Sequence, residues 1–209
     1  MNRLAVLWMT MALAILALTG ASSLSAPDPS LRYSVKGDRA IRLSAGPDVG
    51  SGDAGSLPAG ASGLVLTGRW MEGDEGDVWE VVTGPGDRSA WAPADRLSPG
   101  ALDPTPAPLH CSGTEPFWGL KTAGGRARLS QPGVKDVDFS ASVRRIANGD
   151  PRVFVQRLLG PGNTSGQLVV IRRQSGCSDG MSDLSYPYDS VLTTPTGEVF
   201  SGCCRRAGG

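Results

Sequence analysis

The most reactive side chains of this 209-residue chain lie close to its end, in the segment SGCCRR at 201–206. A cysteine attacks a carbonyl carbon as its thiolate, which needs a histidine or another group that lowers the pKa of the thiol. The chain has one histidine, His110, which lies beside Cys111, and no histidine follows Cys177. The residues therefore favour a structural role for Cys203 and Cys204 over catalysis.

The four cysteines are an even number, which predicts two disulfides in an oxidising compartment and leaves three pairings open. Adjacent residues of a strand point to opposite faces, so Cys203 and Cys204 should bond to different partners. His110 and the cysteines are also a possible zinc ligand set, but the chain has no C-x-x-C spacing and export favours oxidation. We therefore predict no metal site and no cofactor.

Three carboxylic acids, Glu115, Asp179 and Asp183, stand in polar motifs of the C-terminal half. A pair of carboxyl groups hydrolyses a glycosidic bond when one pKa is raised, but nothing in the sequence makes these groups face each other. The order Ser178, Asp179, Gly180 favours a tight turn, with side-chain to backbone hydrogen bonds and a positive φ at the glycine. Glu115 is predicted to hydrogen-bond to the backbone of that turn.

Residues 1–26 have the features of a secretory signal peptide: Arg3, an apolar run from Leu4 to Leu18, and then small residues. Cleavage after Ala21 or after Ser25 fits equally well. The run is short for a membrane span, which needs about 20 residues, although an uncleaved anchor is the alternative. We expect a periplasmic or secreted protein with no stable membrane span after cleavage.

Charge divides the rest of the chain into two halves. Residues 27–108 carry 7 basic and 12 acidic residues, a net charge of −5, and residues 109–209 carry 12 basic and 8 acidic residues, a net charge of +4. This asymmetry favours two modules and is too mild to indicate a nucleic-acid partner. The proline-rich segment 99–109 is the predicted linker between them.

The segments before the linker alternate with period two and are bounded by Gly, Asp or Pro, which predicts a small antiparallel barrel. Leu43, Ser44, Gly46 and Pro47, followed by LPAG at 57–60, resemble the opening of bacterial SH3 domains. VWEVV (78–82) and SAWAPADRL (89–97) resemble later strands of that family. The resemblance covers 33–98 and implies an SH3-like barrel that binds peptidoglycan peptides or an envelope protein.

Tryptophans and acids of this first module are its candidate ligand contacts. Trp79 and Trp91 lie within apolar strand patterns that favour burial, whereas Trp70 precedes a polar segment and is expected to be partly exposed. Acidic residues at 72–77 form a solvated hairpin tip or attract cations, and their spacing is not that of a calcium loop. The predicted contacts are Trp70, Trp91, Glu72, Asp74, Glu75 and Asp77.

Beyond the linker, glycine-containing turns separate seven segments with strand patterns, which predicts a second compact antiparallel barrel or sandwich and an all-β protein. The turns are centred at 124–125, 148–150, 160–163 and 195–197. The strand segments are FWGLKTA, RARLS, DFSASVRRI, RVFVQRLL, QLVVIRR, YDSVLTT and GEVFSGC.

Three motifs of this second module resemble a family of uncharacterised bacterial envelope proteins, many of them lipoproteins. GTEPFW (113–118), C-x-DGMSD-x-x-YP (177–187) and a closing GC (202–203) carry the resemblance, which spans 110–206. Because the second and third motifs each contain a cysteine, the resemblance favours a disulfide between Cys177 and Cys203. The remaining two cysteines, Cys111 and Cys204, would then form the second disulfide. Trp118 and Phe117 are expected in the core, and the other structural motif residues are Glu115, Asp179, Met181, Asp183 and Tyr186.

Ser201, Gly202, Cys203 and Arg205 also resemble the active-site motif of L,D-transpeptidases, but the histidine of that motif is missing. We therefore predict a cell-envelope protein that is not an enzyme, with unknown oligomeric state and with peptidoglycan or an envelope protein as partner. One alternative is an inhibitor of a wall hydrolase such as lysozyme, acting through the loops 160–166 and 178–183. The other, less favoured, is a transpeptidase that uses Cys203.

Overall fold

The protein is nearly all β in a computed structural model that describes residues 26–84, 88–102 and 108–207. Sixteen antiparallel strands and two 3₁₀ turns (Ala94–Arg96 and Pro161–Asn163) make up the regular structure of these ranges. Within the same ranges no helix is long and apolar enough to cross a membrane. The predicted signal peptide falls, except for its last residue, outside the described residues.

Seven strands form the N-terminal part, in the order β7-β1-β4-β5-β6-β2-β3. Their alternating apolar residues bury a core of their own, which includes Tyr33, Leu66, Trp79 and Val81. The strands are β1 Leu31–Val35, β2 Ile41–Ser44, β3 Asp53–Leu57, β4 Leu64–Met71, β5 Val78–Val82, β6 Ser89–Pro93 and β7 Leu97–Leu102.

Nine strands form the C-terminal part, and eight of them close into a ring. Each of the eight pairs with the next along the chain, omitting β12, and the last, β16, pairs with the first, β8. The strands are β8 Leu109–Thr114, β9 Phe117–Ala123, β10 Arg126–Gln131, β11 Val134–Ala141, β12 Arg145–Ala147, β13 Asp150–Leu159, β14 Ser165–Ser178, β15 Ser185–Thr193 and β16 Val199–Arg206.

The interior of this ring is filled by side chains that alternate along each strand. Leu120, Leu158, Leu168 and Leu192 are fully buried there, and Trp118 lies among them with 4% of its surface exposed. Trp118 Nε1 donates to the carbonyl of Ser201, 3.0 Å away. Position 113 must be glycine because a methyl group there would lie 2.2 Å from Trp118 Nε1.

Two disulfides tie the last strand to the rest of the ring, Cys111–Cys204 and Cys177–Cys203. Cys111 and Cys204 stand directly opposite each other on β8 and β16 and belong to the interior cluster. Cys203 points the other way and reaches Cys177 on β14, across the intervening β15. The two disulfides predicted from the sequence are present, with the pairing preferred there.

The two parts are joined by direct contacts. Strand β4 pairs with β15 at Trp70 and Ser185, and a methyl group at Gly176 of β14 would lie 2.6 Å from the Trp70 ring. The segment before β1 also reaches the ring, since Asp28 Oδ2 lies 2.7 Å from an Arg172 nitrogen and Arg206 donates to the carbonyl of Pro29 at 2.9 Å.

Part of the predicted linker 99–109 is strand. β7 continues to Leu102 and β8 begins at Leu109, so residues 103–108 separate the two strands, and 103–107 of these lie outside the described ranges. Proline is accepted in β7 because this strand lies at the edge of the sheet, where an amide hydrogen is not needed.

Candidate functional site

An open groove in the N-terminal part is lined by three of the four acidic residues predicted to contact a ligand, Asp74, Glu75 and Asp77. It has a volume of about 750 Å³ and runs between the loop that follows β2 and the hairpin that joins β4 to β5. We call it the acidic groove. Its lining residues are Ser44, Pro47–Ser51, Met71, Gly73–Val78, Pro93 and Asp95.

Five carboxyl groups line the acidic groove, those of Asp48, Asp74, Glu75, Asp77 and Asp95, and no lysine, arginine or histidine is among its lining residues. A cleft lined by charges of one sign concentrates the field and attracts ions of the opposite sign. Apolar contact surface is supplied between the carboxylates by two prolines, Pro47 and Pro93, and by apolar residues that include Met71 and Val78. The arrangement suits a cation attached to a partly apolar chain.

Backbone hydrogen bonds fix the two loops that carry these acids. Gly76 N–H donates to the carbonyl of Gly73 at 2.9 Å, which closes the hairpin, and Ala94 N–H donates to the carbonyl of Asp77 at 2.9 Å. On the opposite wall, Ser51 N–H donates to the carbonyl of Asp48 at 3.1 Å. The carboxyl groups are therefore presented by loops with defined backbone conformations.

The structure brings together part of the predicted contact set. Asp74, Glu75 and Asp77 line the groove, but Glu72 does not, because it follows Met71 and adjacent residues of an extended chain point to opposite sides. Sequence reasoning missed Asp48 and Asp95. Their proximity follows from the pairing of β2 with β6, which a sequence pattern does not reveal.

The expectation that Trp70 is partly exposed is wrong. Its side chain is 7% exposed, because β5 covers it through Trp79 on one side and β14 covers it at Gly176 on the other. Trp91 is 4% exposed, and the edge that remains lines a smaller cavity of about 310 Å³ beside the acidic groove. Neither ring presents a face to a ligand.

A buried ion pair that was not predicted joins β4 to β5, between Arg69 and Glu80. Glu80 is 1% exposed and accepts hydrogen bonds from Arg69, Thr67 and Ser89, with Arg69 Nε at 2.7 Å. Burial alone raises the pKa of Glu80, but the hydrogen bonds and charge of Arg69, with the two hydroxyl groups, lower it overall. A glutamate inside the apolar pattern VWEVV is the sequence signal that could have revealed this pair.

Arg69 also connects the two parts of the protein. Its guanidinium carbon lies 5.5 Å from the centre of the Trp91 ring and 5.7 Å from that of the Tyr186 ring, the geometry of cation–π contacts. The Tyr186 hydroxyl in turn donates to Asp179 Oδ2 at 3.1 Å. One chain of polar contacts therefore runs from Glu80 in β5 to the turn at 178–183.

That turn has the hydrogen bonds predicted from its residues. Ser178 Oγ accepts from Gly180 N–H at 3.1 Å, and Asp179 Oδ1 accepts from the backbone N–H groups of Met181 and Ser182, each at 3.0 Å. Gly180 has a φ of 72°. Burial raises the pKa of Asp179, but these bonds lower it overall, which is opposite to what a general acid requires.

Two predictions around this turn were wrong. The side chain that reaches the turn backbone is Thr114, whose Oγ1 donates to the carbonyl of Asp179 at 3.2 Å, and Glu115 is exposed. Phe117 is 53% exposed because it is the first residue of β9 and points away from the interior that Trp118 occupies. Asp183 and Met181 are exposed as well, whereas Tyr186 is buried.

The cysteines have no thiol available for catalysis. Cys203 is bonded to Cys177, and no free cysteine is present among the described residues. His110 lies on β8 opposite Arg205, with its Nδ1 3.4 Å from an Arg205 nitrogen. In residues 26–84, 88–102 and 108–207 no group of His, Cys, Asp and Glu is arranged to hold a metal ion.

Replacing Asp179 by alanine is expected to lower the free energy of unfolding by roughly 1 kcal/mol, because two backbone N–H groups and the Tyr186 hydroxyl lose their acceptor. Because the pKa of Asp179 is lowered by folding, its contribution is present above the unfolded pKa of about 3.9 and is lost as the pH falls through the folded value. Urea unfolding at neutral and acidic pH measures both effects. Asp183→Ala, in the same turn, should change stability by less than about 0.5 kcal/mol, and an equal loss there would contradict this assignment.

No protein-family model, curated protein or solved structure matches the chain.

Proposed function

We propose that this chain is a non-enzymatic cell-envelope protein whose N-terminal part binds amine-bearing peptides of the cell wall in the acidic groove. The observation that carries the proposal is the set of five carboxyl groups, without a basic residue, that lines the groove. A primary ammonium group is a compact cation with three donors, and several separate carboxylates match it. The exposed loops allow a ligand on a polymer to enter from solvent.

A location outside the cytoplasm, where cell-wall peptides are found, also supports the proposal. Two disulfides indicate an oxidising location outside the cytoplasm. The proposal includes export to the periplasm or the medium through the signal peptide at 1–26. The resemblance of residues 33–98 to bacterial SH3 domains, which bind wall peptides or envelope proteins, supports it.

In this proposal the C-terminal part, residues 110–206, holds the N-terminal part in a fixed orientation. The β4–β15 pairing and the stacking of Arg69 on Tyr186 are the contacts that support this role. A structural role for the cysteines is favoured over the transpeptidase alternative because Cys203 is bonded to Cys177. A protein partner in the envelope that presents lysine side chains fits the same groove chemistry.

Neutralising three groove acids together, Asp74→Asn, Glu75→Gln and Asp77→Asn, is expected to weaken binding to purified peptidoglycan roughly tenfold. Three exposed ion pairs at about 0.5 kcal/mol each give this factor. Sedimentation of the full exported protein with peptidoglycan measures it, and binding should weaken further as salt is added.

The matched control removes three exposed carboxylates outside the groove, Asp38→Asn, Glu72→Gln and Asp136→Asn. It should bind as the unchanged protein does. Peptidoglycan whose amines have been acetylated should not bind. Equal binding to acetylated wall, or equal weakening by the control variant, would overturn the proposal.

A further inference from the structure

The turn at 178–183 lies against the hairpin that joins β8 to β9, and each of the two loops exposes a large apolar side chain. Phe117, the first residue of β9, is 53% exposed, and Met181 in the turn is 67% exposed. Among the large apolar side chains that are exposed within the described ranges, Phe117 is the only aromatic one and Met181 the only methionine. The two loops therefore present the kinds of apolar side chain that are enriched at protein–protein interfaces.

Hydrogen bonds join the two loops into one surface. Thr114 and Phe117 stand directly opposite each other on β8 and β9, so their side chains lie on the same face of the hairpin. Thr114 Oγ1 donates to the carbonyl of Asp179 at 3.2 Å, and Asp179 Oδ1 accepts from Met181 N–H at 3.0 Å. Met181 is thus held next to the residue that pairs with Phe117. We call this region the Phe117–Met181 surface, and its exposed residues are Glu115, Pro116, Phe117, Met181 and Asp183.

The turn that carries Met181 is fixed at both of its ends. Cys177, just before the turn, is bonded to Cys203 of β16. Tyr186, just after it, donates its hydroxyl to Asp179 Oδ2 at 3.1 Å. A surface whose backbone is already ordered loses little conformational entropy when a partner binds to it. The Phe117–Met181 surface is therefore preformed for docking.

The charged residues of both loops are all acidic. Glu115 and Asp183 are exposed, and neither 114–118 nor 178–184 contains a lysine, an arginine or a histidine. Residues 109–209 as a whole carry a net charge of +4. The negative charge is therefore a local property of the Phe117–Met181 surface.

This charge decides between the possible occupants. Membrane surfaces with anionic lipids attract basic segments and repel acidic ones. A symmetric dimer would place the same patch of two copies face to face, so that Glu115 and Asp183 would meet other carboxylates. A protein segment that carries basic side chains beside apolar ones incurs neither penalty, because its charges are complementary.

We propose that the Phe117–Met181 surface docks a segment of another protein in which lysine or arginine side chains alternate with large apolar ones. The apolar side chains of the segment cover Phe117 and Met181. Its basic side chains face Glu115 and Asp183. None of the residues of this surface lines the acidic groove, so this interaction is independent of the binding of wall amines.

Nuclear magnetic resonance titration of the full exported protein tests this proposal. The peptide acetyl-Lys-Phe-Lys-Leu-Lys-amide should cause saturable shifts of the backbone amide signals at 117–118 and 179–183. Acetyl-Lys-Ser-Lys-Ser-Lys-amide keeps the charge without the apolar side chains, and acetyl-Glu-Phe-Glu-Leu-Glu-amide reverses the charge. Each should bind this surface at least about tenfold more weakly. Signals at 73–78 report the acidic groove separately, so a failure of the groove proposal is distinguishable from a failure here.

Apolar variants with a matched control test the contribution of the two exposed side chains. Phe117→Ser and Met181→Ser should each weaken binding of the lysine–phenylalanine–leucine peptide about fivefold or more. Val143→Ser makes a similar change at a valine that is 81% exposed between β11 and β12, and it should leave binding unchanged. All three side chains are exposed, so the variants should fold as the unchanged protein does.

Charge variants test the acidic residues in the same way. Glu115→Gln with Asp183→Asn removes two exposed ion pairs with the peptide and should weaken its binding about fivefold. The control Asp38→Asn with Asp53→Asn removes two exposed carboxylates of the N-terminal part and should have no effect at this surface. Absence of saturable shifts at 117–118 and 179–183, or equal effects of Phe117→Ser and Val143→Ser, would refute the inference. Sedimentation with phosphatidylglycerol vesicles that is lost in Phe117→Ser would refute it as well, in favour of a membrane.

Discussion

Replacing Cys111 and Cys204 together by alanine should lower the free energy of unfolding by about 4.5 kcal/mol. The bond joins residues 93 positions apart, and the loss follows from the chain entropy that the unfolded protein regains. Replacing both partners avoids a free thiol that would form a wrong bond. Urea unfolding under oxidising conditions measures the change.

The second disulfide is the natural control for this result. Cys177 and Cys203 are 26 positions apart, so their joint replacement should cost less, about 3.5 kcal/mol. The ranking of the two variants is the diagnostic result. A larger loss from the shorter loop would show that native contacts of the sulfur atoms, rather than loop length, determine the stabilisation.

Replacing Arg69 by methionine should cost about 3–5 kcal/mol, because it leaves the Glu80 carboxylate buried without its cation. The stacking of the guanidinium between Trp91 and Tyr186 is lost as well. Adding Glu80→Leu to Arg69→Met should restore much of the stability, since the uncompensated charge is then removed. Urea unfolding of the two single variants and the double variant forms the cycle that measures this coupling.

The pH dependence of this pair distinguishes a buried charge from lost packing. In the unchanged protein the pKa of Glu80 is lowered, so its contribution is present above the unfolded pKa of about 4.3 and is lost as the pH falls through the folded value. Without Arg69, burial raises that pKa, so the deficit of the variant should shrink in acid. Arg42→Met, which removes a fully exposed partner of Asp53 at 3.8 Å, should cost less than about 1 kcal/mol at any pH. A deficit of Arg69→Met that does not change with pH would contradict the assignment.

Local patterns predicted most strands of the C-terminal part. FWGLKTA coincides with β9, and the glycine turns at 124–125, 160–163 and 195–197 lie between strands, as does 148–150 except for Asp150, the first residue of β13. β8 was missed because LHCSGT has small and polar residues where strands usually have branched ones. The predicted strand 138–146 is two strands, β11 and β12, because residues 142–144 between them have no regular structure.

The candidate site was less predictable because it depends on which strands become neighbours. Asp74, Glu75 and Asp77 are close in sequence and were found, whereas Asp48 and Asp95 reach the groove through the β2–β6 pairing. Trp70 was misjudged for a related reason. Its local context is polar, but β14 and β15 of the other part cover it. The alternation of apolar and polar residues along one strand does not show which distant strands will contact it.

The connectivity of the two disulfides sets an order for maturation. Each bond joins one of the adjacent pair Cys203 and Cys204 to a cysteine that comes earlier in the chain, Cys177 or Cys111. A chain is made from its N-terminus, so Cys111 and Cys177 are available before Cys203 and Cys204. If the first two are oxidised with each other before the last two emerge, they form a bond that the folded protein does not contain. Such a bond is undone by thiol–disulfide exchange, which takes minutes to hours without a catalyst. A disulfide isomerase, which catalyses this exchange, should therefore raise the yield of protein with the native pairing.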